Sequence, residues 1–121
     1  MSAKFDAVFG WTESRFNSAV TVAGDPGLVV AGKANYVIKI RRIRGTSDQD
    51  LTLKQGTTAA GSVALPTPVI QSQENFDIPG LELTLDEGNS LYVDVAADTT
   101  PDINVQYAYV RSSHTGNFET N

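Results

Sequence analysis

Leu81 to Arg111 reads LELTLDEGNSLYVDVAADTTPDINVQYAYVR, three runs of apolar alternation separated by two turn-rich breaks. Leu81, Leu83 and Leu85 alternate with Glu82 and Thr84. Leu91, Val93 and Val95 alternate with Tyr92, Asp94 and Ala96, and Ile103, Val105, Tyr107 and Tyr109 with Asn104, Gln106 and Ala108. A period of two places each apolar set on one face of a strand. The break Asp86–Ser90 has the length and composition of a hairpin loop around a Gly-bearing turn. Asp98–Asp102 is Pro-interrupted and suits a connection crossing between sheets. The stretch thus predicts an antiparallel meander with Leu81, Leu83, Leu85, Leu91, Val93, Val95, Ile103 and Val105 inward. Three strands alone cannot keep such a face from water, so a second sheet from the preceding residues must cover it.

Upstream, the clearest strand is Asn35–Gly45. Tyr36, Ile38 and Ile40 alternate with Val37, Lys39 and Arg41 until Arg41-Arg42 shifts the phase and Ile43 follows. A phase shift inside a strand marks a β-bulge or a bend out of the sheet. A bulge lets Ile43 continue the inward set and turns Arg41, Arg42 and Arg44 outward. Leu51-Thr52-Leu53 returns as a strand after the polar loop Gly45–Asp50. Pro66 and Pro68 confine their neighbours to edges or loops, and Pro79-Gly80 reads as a turn placed before the Leu81 strand. Val20–Val22 and Leu28–Val30 flank the turn Gly24–Gly27 as short strands. About eight short strands, a turn every eight to twelve residues and no convincing helical period predict one all-β domain, a β-sandwich or jelly roll. Its expected boundaries are an N-terminal arm at 1–27, the sandwich at 28–111 and a polar tail at 112–121.

The arm carries Phe5, Phe9, Trp11 and Phe16 among small and polar residues. These aromatics either pack on the domain's own core or anchor the arm on a neighbouring subunit. Charge is unevenly placed within a net charge of −5. Residues 33–54 hold six cations against two acids, +4, whereas residues 55–121 hold Arg111 against nine acids, −8. Such asymmetry points to self-association or an oppositely charged partner. The net acidity argues against general nucleic-acid binding. No apolar run has the length of a membrane span or of a secretory leader, so a soluble product of a cytosol, or of something assembled there, is expected.

Chemistry finds little to work with. The absence of cysteine excludes disulfides, thiolate catalysis and a Cys-based zinc site. His114, the one histidine, lies in the polar tail away from any nucleophile. Asp48 and Asp50 with Ser47 have oxygen-ligand spacing for calcium, but lack the further acid a sensor-type loop supplies. Asp98 and Asp102 could serve as paired glycosidic carboxylates, with no apolar pocket to raise a pKa. Tyr92, Tyr107 and Tyr109 with Trp11 could stack on sugars, although Tyr107 and Tyr109 share a face with Ile103 and Val105. No cofactor, metal or small-molecule substrate is expected, and no enzyme activity. The densest candidate set is Arg41, Arg42 and Arg44, whose guanidinium groups suit bidentate recognition of carboxylates.

The basic strand Tyr36–Arg44, the pair Leu83–Val95 and the last strand Ile103–Val110, behind a loose arm, resemble the small β-sandwich accessory proteins of tailed bacteriophages, most nearly head decoration (cement) proteins. The resemblance covers roughly residues 35–111 and is one of strands and turns. It implies a homotrimer made in the host cytoplasm and seated on the capsid surface of the virion, contacting the major capsid protein and reinforcing capsomer contacts. Phe5, Phe9, Trp11, Phe16, Arg41, Arg42 and Arg44 are then the expected interface. The alternative is a carbohydrate-binding or host-recognition module of a phage tail or fibre.

Overall fold

The computed structural model describes residues 10–17, 20–66, 70 and 73–112. Alternation gives the strands β1 (Thr12–Asn17), β2 (Gly27–Val30), β3 (Tyr36–Ser47), β4 (Leu51–Gly56), β5 (Val63–Ala64), β6 (Gln73–Thr84), β7 (Ser90–Val95) and β8 (Asp102–Arg111). They pair in two antiparallel four-stranded sheets, β1-β8-β3-β6 and β2-β7-β4-β5. The pairs β1–β8, β2–β7, β3–β6 and β4–β5 describe one long hairpin rolled over on itself, so the sandwich is an eight-stranded jelly roll.

That topology corrects the expected meander. β6 and β8 belong to the first sheet and β7 to the second, so the chain crosses the sandwich after β6, where a hairpin was expected, and again after β7, where Asp98–Asp102 was expected to cross. Asp86–Asn89 is therefore an arch between sheets and not a hairpin. Its turn is tight: Asn89 N donates to Asp86 O at 3.1 Å and Gly88 takes a left-handed φ of 79°. Leu85 N and Gly88 N donate to Ile38 O and Tyr36 O of β3, which holds the arch against the first sheet as it leaves. A turn of this composition serves a return within one sheet or a crossing equally well.

The core lies between the sheets. Ile38, Ile40 and Ile43 of β3, with Ile103 and Val105 of β8, face Leu51 and Leu53 of β4 and Leu91, Val93 and Val95 of β7. Of the eight side chains expected inward, Leu85, Leu91, Val93, Val95, Ile103 and Val105 are buried, while Leu81 and Leu83 pack half-buried against them. Burial of these aliphatic groups is the main favourable term in the fold.

The phase shift in β3 is a bulge. Opposite β8, Ile40 pairs with Tyr107 and Arg42 with Gln106, leaving Arg41 as the extra residue. Ile43 then falls inward and is completely buried. On the other flank, Ile40 pairs with Leu83 and Arg42 with Pro79. Pro79-Gly80 is thus an irregularity within the continuous strand β6 and not the turn expected there. Proline is tolerated because β6 is an edge strand, and Gly80 supplies the positive φ of 74°.

The boundary at residue 28 is also corrected. Thr12–Asn17, expected within the arm, forms β1 and pairs with β8 from Thr12↔Tyr107 to Asn17↔Asp102. Phe16 packs on the main core, over Gly27, where a Cβ would lie 2.5 Å from the ring. Phe5 and Phe9, and the tail beyond Ser112, lie outside the described residues. The expected Val20–Val22 strand reduces to isolated bridges, Thr21↔Thr99 and Val22↔Asp25.

Candidate interaction surface

The outward side chains of the first sheet gather Trp11, Arg41, Arg42 and Arg44 of the sequence-predicted candidates, whereas Phe16 faces the core and leaves the expected interface. Because Arg41 is the bulged residue, Arg41, Arg42 and Arg44 all leave the core side, beside the outward residues of β1, β8 and β6. Arg41 Nε donates to Gln106 Oε1 at 2.7 Å, and its guanidinium carbon sits 4.5 Å from the centroid of the Trp11 ring. Arg42 grips Asp77 of β6 with two parallel bonds, Nε to Oδ1 at 2.8 Å and Nη2 to Oδ2 at 2.5 Å. Arg44 Nη2 reaches Glu13 of β1 at 3.2 Å. A fourth pair, absent from the candidate set, completes the row: Arg15 of β1 holds Asp102 of β8 at 2.9 and 2.7 Å.

Candidate arm and candidate arginines thus meet each other. The row fastens both edge strands, β1 and β6, to the centre of the sheet. The side chains of Arg42 and Arg44 nevertheless remain 40% and 46% exposed. Exposed pairs of this kind add little to stability, because solvent and salt screen them. Their mark is electrostatic. The hydrogen bond from Arg42 outweighs the upward push of desolvation and, with smaller contributions from the charges of Arg42 and Arg44, holds the Asp77 carboxyl below the usual carboxylate range. Arg15 does the same to Asp102. Both guanidinium pKa values rise in return.

Beyond the bulge the same face turns apolar. Val37, Ala108 and Val110 are buried there, with Trp11 packed against them. Beside them Lys39 is wholly buried and donates from Nζ to Thr84 Oγ1 at 2.9 Å. Strict alternation had assigned these positions to solvent. The signal was available: Val37, Ala108 and Val110 are small and apolar at the phase that should carry polar residues.

The tyrosines divide. Tyr92 is buried in β7, whereas Tyr36, Tyr107 and Tyr109 meet edge-on, with centroids 6.3 Å apart for Tyr36–Tyr109 and 5.5 Å for Tyr107–Tyr109. Lys33 lies 4.1 Å over the Tyr109 ring and Arg111 lies 5.7 Å from that of Tyr36. The Tyr109 hydroxyl donates to Ala31 O, and burial, then Tyr107, pushes its pKa up. Trp11, at the Arg41 row, is not part of this group.

The acid candidates are otherwise occupied. Asp48 accepts from Thr99 Oγ1, Asp98 from Ala23 N at 3.0 Å, and Asp102 from Arg15. Among the described residues no group of three or more His, Asp or Glu side chains is placed to hold a metal. No helix among them is long and apolar enough to cross a membrane. His114 lies outside the described residues. Compared with protein-family models, curated proteins and solved structures, the chain matches none.

Proposed function

We propose that this chain is a non-enzymatic structural protein of a bacteriophage virion, a decoration protein that binds the outside of an assembled head as a homotrimer and stabilises contacts of the major capsid protein. The observation that carries this reading is the outer face of the first sheet. It presents exposed charges of both signs in a row across four strands, beside an apolar shoulder at Trp11. Such a face suits docking on a repeated protein surface, where charge sets approach and register more than raw affinity. Arg42 and Arg44 are exposed enough to turn from Asp77 and Glu13 to carboxylates of a shell.

The test is sedimentation of the purified protein with undecorated capsids over a range of salt. The native chain should co-sediment as a trimer, less so as salt rises. Arg42→Glu with Arg44→Glu should melt near the native chain yet bind weakly and without salt dependence. A native chain that stays in the supernatant at low salt, or a double variant that binds like it, overturns the reading. A tail-module role in sugar binding would draw on Tyr36, Tyr107 and Tyr109. Lys33 already lies over Tyr109, so this reading is the weaker, and a glycan array tests it directly.

A further inference from the structure

We propose that β1 is an exchangeable strand, and that β8 accepts residues 12–17 from a second copy of the chain in place of its own. None of the side chains of β1 is fully buried, and only Ser14 and Phe16 are partly so. Its hold consists of the pairing with β8, the Phe16 ring, a Ser14 Oγ bond to Val29 O at 3.1 Å and the charged contacts on the outer face. Those contacts are exposed and screened by salt. The strand lies at the sheet edge and β8 is its one strand partner among the described residues, so its release breaks no other strand pairing there.

The vacated place is demanding about what fills it. β8 then shows unpaired backbone groups from Asp102 to Tyr107, a template that recruits another strand. An occupant must bring an aromatic ring to the space that Gly27 leaves open, an acid to Arg44 and a base to Asp102. A second β1 satisfies all three at once, with the same register and inward side chains. Strand exchange between identical chains keeps every contact and changes only which chain supplies it. Thr21, bonded reciprocally to Thr99 at 2.7 and 3.0 Å, keeps its own bonds when residues 12–17 leave β8.

The chain has no cysteine, which makes the test clean. Arg15 and Asn104 are direct partners across β1 and β8. Two single variants, Arg15→Cys and Asn104→Cys, cannot form that disulfide within one chain. They are mixed at high salt, returned to low salt and oxidised gently. A covalent dimer whose peptide map joins positions 15 and 104 is expected, at several-fold higher yield than in mixtures never exposed to high salt. The variant carrying both cysteines should close the bond internally in dilute solution, which establishes that the substitutions fold in this register. Mixtures yielding only 15–15 and 104–104 dimers or monomers overturn exchange, and a double variant that does not close overturns the register beneath it. No capsid is present, so failure here leaves attachment to a shell untouched.

Discussion

Deletion of Arg41 probes the bulge on which the outward arginines depend. Removing a residue from a central strand normally moves every later side chain to the other face. Here Arg41 is the residue without a partner on β8, so its removal brings Ile40, Arg42 and Ile43 into plain alternation with their present faces kept. The chain loses the bond to Gln106, about 0.5–1.5 kcal/mol, and the half-buried stack on Trp11, about 0.5–2 kcal/mol. We expect a total cost of about 1–3.5 kcal/mol, below a domain stability of about 5–15 kcal/mol. Deletion of Ile43 is the contrast. It removes a completely buried side chain, about 2–5 kcal/mol by analogy with truncation, and turns Arg44 inward, a buried ion costing several kcal/mol more. Urea unfolding followed by circular dichroism measures both. An Arg41 deletion that unfolds as readily as the Ile43 deletion refutes the bulge as the device that sets the faces.

Val93 is fully buried at the middle of β7, so Val93→Asp places an unpaired carboxylate in the core. We expect a loss of at least about 3 kcal/mol with the new carboxyl pKa raised; native-like melting at neutral pH would mean the face is wet. The Asp77 and Asp102 carboxyls have folded pKa values below the usual one. Their contribution is therefore complete above the unfolded value of about 3.9 and is lost as pH falls through the lower folded values. Urea midpoints taken from about pH 6 down to about pH 2 should fall less steeply for Asp77→Asn with Asp102→Asn than for the native chain. Parallel curves would show that neither pair is sensed by folding.

The fold class was legible because its signal is local. Alternation in Leu91–Val95 and Ile103–Tyr109 needs no knowledge of partners, and two consecutive arginines inside an apolar period expose the bulge. Sheet membership was not legible, because Asp86–Asn89 has the same turn chemistry in an arch as in a hairpin. β1 escaped notice because an edge strand buries only alternate residues on one side, here Ser14 and Phe16. The pairs Arg44–Glu13, Arg42–Asp77 and Arg15–Asp102 span 31, 35 and 87 positions, beyond the reach of any local pattern.

The rolled hairpin also dictates an order of events at the ribosome. Gln55 and Val63, partners in β4 and β5, leave within moments of each other, whereas Thr12 must wait for Tyr107. At about 5–20 residues per second of synthesis, that wait is about 5–20 s. Pairings so distant in sequence also close slowly, because the chain must order the intervening loop first. The nascent chain therefore carries an unmatched first strand past its neighbours on the same message, where translating copies stand close together. The edge of the first sheet is completed only after the last strand has emerged.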